Sequence, residues 1–187
     1  AAPFNCGVEG HSHDSPLGEL DSRPALRTAG SLRVYRLALA TTGEYVEAIG
    51  AANKTAALSE MNNAINRVNQ IYERDLGIRL QLVANNDLLI YTNKNSDPYT
   101  DPASDLTSSA EDLLLQNQTN IRNVIGSPNY DIGHVFSRGG GGLAQVGAVC
   151  VDGKNDLEGD FKAGGVTGLN NPTGENFYID YVAHEIG

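Results

Sequence analysis

No lysine- or arginine-rich run occurs anywhere in the 187 residues, and the formal net charge is −10 with a pI near 4.7. A chain this acidic lacks the basic footprint of a nucleic-acid binder, so no nucleic-acid partner is expected. Long apolar runs are missing as well. None approaches the ~20 residues that a membrane helix needs, so no membrane partner is expected. No hydrophobic signal segment is visible, and the opening Ala1-Ala2-Pro3 is compatible with a cleaved precursor and equally with an arbitrary boundary. Sulfur is scarce: Cys6, Cys150 and one methionine. Two cysteines so far apart neither establish nor exclude a disulfide. What is present is ordinary for a folded protein, since 40% of residues are apolar and 19% charged. The length suits one domain with a real core.

Residues 1–30 are punctuated by Pro3, Gly7, Gly10, Pro16, Gly18, Pro24 and Gly30 and carry no apolar period, so they read as an N-terminal arm before a domain over 31–187. Leu32 to Ala40 is a short apolar-rich run between glycines, an inner strand. Thr41 and Glu44 have capping-box spacing for a helical turn. Leu58, Met61, Ile65, Val68 and Tyr72 form one apolar stripe, which predicts a long helix from Asn53 to Arg74 ending near Gly77. Ile78 to Val83 alternates like a strand with one wet face, and Leu88 to Tyr91 reads as another strand. A polar loop follows to Thr107. A second capping box, Ser108 and Glu111, opens a helix through Leu114, Ile121 and Ile125. Strands are expected over Asp131–Ser137 and Gly142–Val149, then a loop from Cys150 to Asn171, then a helix from about Asn176. This alternation is that of an α/β layer with a mixed sheet, and no internal repeat is seen.

The last helix carries the chemistry. Tyr181-Val182-Ala183-His184-Glu185-Ile186-Gly187 contains the first half of the zinc-peptidase signature H-E-x-x-H. A helix sets residues i and i+4 on one face, so two such histidines hold one Zn²⁺ ion together. The adjacent glutamate reaches the metal-bound water as general base. On this pattern His184 is the metal ligand and Glu185 the catalytic base. The second histidine falls one residue beyond Gly187.

The segment Val182 to Gly187, following a glycine-rich stretch, resembles the metzincin zinc peptidases, and most of all the bacterial secreted members of the reprolysin-like (adamalysin) branch. Thr42-Gly43-Glu44-Tyr45, Tyr130 to Phe136, Gly141 to Cys150 and Lys162 to Gly168 also resemble family segments, in the right order across residues 32–187. The resemblance implies the upper subdomain of a catalytic domain, with a twisted five-stranded mixed sheet and long helices. It also implies a secreted protein acting on protein or peptide substrates. Two further ligands, a Met-containing turn and the lower wall of the specificity pocket would follow Gly187. A chain ending there is expected to lack hydrolytic activity and to associate with the missing C-terminal part. Its rival role is that of an inert or peptide-binding module.

The same resemblance implies that Gly142, Leu143 and Ala144 offer free backbone groups to an extended substrate at a sheet edge. The run Gly139 to Gly142 lacks the Gly-Lys-Ser/Thr ending of a phosphate loop and is followed by a strand, which weighs against nucleotide binding. Cys6-Gly7-Val8 is similar to the cysteine switch of metzincin propeptides, in which a thiolate ligates the zinc before activation. That role, a Cys6–Cys150 disulfide and a plain thiol all stay open. In reprolysin relatives the cysteine resembling Cys150 pairs beyond the active-site helix. His11 and His13 read as part of a solvated arm, and His134 as a core or edge histidine. Asp152, Asp156, Glu158 and Asp160 crowd one loop with the oxygen chemistry for Ca²⁺ but without EF-hand order. The acidic Ca²⁺ ligand that venom-type relatives carry in the first strand is replaced near Arg36.

Overall fold

The computed structural model describes residues 6–7, 32–101, 110–153 and 161–187. Strand β1 (Cys6–Gly7) is followed by β2 (Arg33–Thr41), helices α1 (Gly43–Ala48) and α2 (Lys54–Asp75), and β3 (Ile78–Leu82). Helix α3 (Ala110–Val124) leads to β4 (Ile132–Ser137), β5 (Gly141–Ala144) and β6 (Gly165–Gly168). The chain closes with a π-helical stretch, Asn176–Val182, that runs into α4 (Ala183–Ile186). The strands make one sheet in the order β1-β5-β6-β4-β2-β3. Strands β3, β2, β4 and β6 are mutually parallel, and β5 runs antiparallel to β6. This is the expected mixed α/β sheet of five strands, with the two-residue β1 added outside β5.

Strand β2 is central because it can be buried on both faces. Leu37 and Leu39 point into a core with α2 and the terminal helix, whereas Ala38 and Ala40 point into a second core with α3, and all four are inaccessible to solvent. The stripe of α2 (Met61, Ile65, Val68 and Tyr72) forms as predicted and fills the first core. Asn53 caps that helix by accepting from the Ala56 N–H, and Gly77, at φ +68°, turns the chain into β3.

Several boundaries differ from expectation for local reasons. Thr42, not Thr41, caps α1 by accepting from the Tyr45 N–H, while the Thr41 hydroxyl accepts from the Tyr91 N–H. Leu88–Tyr91 is not a strand: Asn86–Leu89 is a 3₁₀ turn, and a single bridge joins Ile90 to Thr41. The edge strand stops at Ala144 rather than Val149, and β6 lies inside the segment expected to be a loop. The Ser108 cap, His11, His13, Asp156, Glu158 and Asp160 lie outside the described residues. Arg36 forms a forked ion pair with Asp131 (Nη2–Oδ1 2.6 Å), so a cationic guanidinium stands at that point of the first strand. Among the described residues no helix is long and apolar enough to cross a membrane.

Two asparagines splice helical and turn segments onto the sheet. Asn69 of α2 accepts from the Leu80 N–H and donates to the Leu80 carbonyl, each at 2.8 Å. Asn86 does the same for Leu39 on β2, at 2.8 and 2.9 Å, and is itself buried. Removing the Asn86 amide would strand a buried donor and a buried acceptor at about 1–3 kcal/mol each. Asn86→Ala should therefore lower the urea unfolding free energy by about 3 kcal/mol with an unchanged m-value. A loss below about 1 kcal/mol would show that water or local relaxation satisfies β2 instead.

Candidate active site

The terminal helix is fastened to the domain before it presents any chemistry. Phe177 and Val182 are inaccessible to solvent, and the Phe177 ring meets Phe136 of β4 edge-on at 5.2 Å between centroids. Tyr45 of α1 packs on both rings, 5.3 Å from Phe136 and 6.2 Å from Phe177 between centroids. The Tyr72 hydroxyl of α2 donates to the Ala183 carbonyl at 2.5 Å, one residue before His184. That carbonyl also accepts from the Gly187 N–H, at 3.2 Å. Sequence reasoning took Tyr72 only as core stripe. Its position at the end of the stripe opposite the motif is the one signal that could have suggested more.

Within this frame the two motif residues face differently. His184 is exposed, whereas Glu185 is buried with 6% of its surface accessible. The Glu185 side chain lies against Gly142 of the edge strand, so closely that a Cβ on residue 142 would stand 2.5 Å from the carboxyl carbon. Gly142 is thus the one residue type that leaves room for Glu185. Burial pushes the Glu185 carboxyl up to about 7. Gly142 and Glu185, chosen separately from the sequence, are therefore in contact. Leu143 and Ala144 continue the edge as half-buried residues.

The outer side of β5 is paired. Cys6 and Gly7 run parallel to it, with Cys6 opposite Gly142 and Gly7 opposite Leu143. Cys150 is an exposed free thiol in a left-handed backbone conformation, φ +64°. Asp152 pairs with Lys162 at 2.6 Å. Gln145, which the sequence did not mark, ties the end of the edge strand to the chain before β6. Its side-chain oxygen accepts from the Phe161 N–H at 2.9 Å, and its own N–H bonds the Gly164 carbonyl at 2.8 Å. His134 is buried in β4 with Nε2 2.7 Å from the Thr167 hydroxyl, as expected of a satisfied core histidine. Among the described residues no three His, Cys, Asp or Glu side chains converge to hold a metal ion. His184, the candidate ligand from the sequence, is exposed next to the buried Glu185.

A mixed sheet with a terminal helix that presses Glu185 against its glycine-rich edge is consistent with a metzincin-like fold. Residues 58–187 match the family described as Metallo-peptidase family M12B Reprolysin-like. The chain belongs to that family of metallopeptidases, whose members act on peptide bonds. The matched stretch runs from α2 through the edge strand to the His-Glu pair. No curated protein matches the chain.

His134 supplies a test of the core beneath the site. Burial pushes its imidazole down to about 3, against 6.5 ordinarily. Between these values the unfolded chain binds a proton that the folded chain refuses. The contribution of neutral His134 is thus complete above pH 6.5 and is lost as pH falls toward 3, at up to ~1.4 kcal/mol per pH unit. Between pH 7.5 and 5.0 the parent chain should lose about 2 kcal/mol more unfolding free energy than His134→Gln. Equal losses in denaturant titrations would remove His134 as the source.

Proposed function

We propose that this chain forms the N-terminal part of the catalytic domain of a secreted, zinc-dependent endopeptidase, with His184 as a zinc ligand and Glu185 as general base. The observation that carries the reading is the seat of the Glu185 carboxyl against Gly142, beside an exposed His184 on the same helix. A bound zinc ion would polarise a peptide carbonyl and bring the pKa of its water toward ~7. Glu185, as general base, would accept a proton from the attacking water and pass it to the leaving amine. Gly142, Leu143 and Ala144 align an extended peptide through backbone groups along β5, next to the base. One imidazole alone holds zinc weakly, so further ligands would be needed to complete the shell.

Cys6 fits the same site as a latency ligand. Its backbone is paired opposite Gly142, the residue on which Glu185 rests. In that role the backbone pairing would cover the edge that a substrate needs, and a cysteine thiolate is a competent zinc ligand.

In protein that carries the whole motif, Glu185→Ala should lower kcat by about 10²–10⁴-fold while zinc content is unchanged. Undiminished hydrolysis would sink the assignment of the base. Gly142→Ala places a methyl group where the Glu185 carboxyl sits, and displacement on the ångström scale costs on the order of 10²-fold in rate. Gly140, with open space around its Cα, is the matched control. Gly140→Ala should leave kcat/KM within about twofold of the parent. Equal behaviour of the two alanine variants in a peptide-cleavage assay would show that contact with Gly142 does not position Glu185.

A further inference from the structure

Helix α1 buries a second carboxylate that the site described above does not use. Glu44 lies in the first turn of α1 and only 4% of it is accessible. Its Oε2 is fully buried and has no hydrogen-bond partner. The rest of the carboxyl lies against its own N–H and the Thr42 hydroxyl. The preceding amide, Gly43 N–H, is taken by a different carboxylate, Asp97 Oδ2, at 2.6 Å. Consecutive amides at one helix start therefore draw two carboxylates side by side.

Asp97 is held in that position from its own loop, where Oδ1 accepts from the Tyr99 N–H at 3.0 Å. The loop backbone crosses α1 so closely that a Cβ on Gly43 would stand 2.5 Å from the Asn93 carbonyl carbon. Lys94 lies close enough to act on Glu44 electrostatically, but its ion pair is with Glu47, at 2.6 Å. Burial first, and then Asp97 and Asp101, push the Glu44 carboxyl above its usual range, and burial and Asp101 do the same to Asp97. Adjacent buried like charges are costly unless a proton or a cation joins them.

We propose that Glu44 and Asp97 are the side-chain ligands of a structural Ca²⁺ site that staples the start of α1 to the 93–101 loop. Both donors are hard carboxylate oxygens, one already free and buried, and they come from segments 53 residues apart that need a tie. No third acidic, His or Cys side chain among the described residues completes a chelate. The remaining positions fall to backbone carbonyls and water, which Ca²⁺ accepts readily and which its flexible geometry tolerates. Zinc, which prefers nitrogen and sulfur, is not matched by this donor set. Asp152, one of the acidic residues with calcium chemistry in the sequence, is already paired with Lys162.

The full chain, stripped with EDTA, should melt about 5 °C higher in saturating CaCl₂ than without it, and equimolar MgCl₂ should do less. Glu44→Gln and Asp97→Asn should each abolish the rise, and Glu44→Gln should raise the calcium-free Tm by removing the repulsion. Asp152→Asn should keep the full response. No rise in the parent chain overturns the proposal, and so does an undiminished rise in both site variants. A Tm that depends on pH but not on calcium means that a proton neutralises Glu44, which also overturns it. Should either site variant fail to fold, TbCl₃ added to the parent chain gives the second readout. Tyrosine-sensitised emission that CaCl₂ displaces is expected, because Tyr99 lies in the ligand loop two residues after Asp97 and Tyr45 directly follows Glu44, and its absence overturns the site.

Discussion

A helix can offer a His-Glu pair in fixed geometry only if its other face is immobile, and here that immobility comes from a chain of contacts that begins at β2. Strand β2 is hydrogen-bonded on both edges and buried on both faces, so it orders β4 beside it. Strand β4 places Phe136 where Tyr45 and Phe177 close on it. Phe177 in turn fixes the π-helical stretch. One turn later the Tyr72 hydroxyl takes up the Ala183 carbonyl, which ties α2 directly to the backbone before His184. Carbonyls near a helix end otherwise look for water or a cap. Loss of any of these contacts would reach the motif through its backbone, without touching either motif side chain.

The edge strand completes the arrangement by what it leaves out. A buried carboxyl needs space and tolerates few apolar walls, and Gly142 grants the space by having no side chain. The outcome is a glutamate that is harder to ionise than one in water, with its carboxyl raised to about 7 by burial. In the general-base role proposed for Glu185, such a carboxyl would accept a proton more readily than one in water. Glycine at 142 and burial at 185 are therefore two sides of one packing decision.

Long periodic segments were legible in the sequence because their signal is local. The α2 stripe, the β2 and β4 runs and the His-Glu helix all stand close to where periodicity put them. Strand β6 was missed because Gly165-Val166-Thr167-Gly168 is too short and glycine-rich to alternate, although all four residues are buried. Its existence depends on partners on both sides, β4 and β5, which no local pattern encodes. The 3₁₀ turn at Asn86 misled for the converse reason. Leu88 and Leu89 look like strand residues, but Asn86 turns inward to bond β2. At the site, residue identities were readable while their relations were not. Nothing within Gly142 or Glu185 announces that they touch across 43 residues (185 − 142 = 43). Resemblance to known peptidases supplied the candidates, and only the fold joined them.

The pairing of β1 on β5 bears on how such an edge is used. A sheet edge has one row of backbone groups, so Cys6–Gly7 and an added peptide strand cannot both take Gly142 and Leu143. Two residues of parallel ladder are a weak contact by themselves, but the arm is covalently tied to the domain it covers. Tethering turns a weak contact into an intramolecular one, so a free peptide making the same backbone bonds must exceed the effective concentration that the covalent link confers. Severing the tether removes the advantage without altering a single contact at the edge. Coverage of β5 by the arm and access of a peptide to the Glu185 side of the cleft are thus alternatives decided by chain connectivity rather than by affinity at the strand itself.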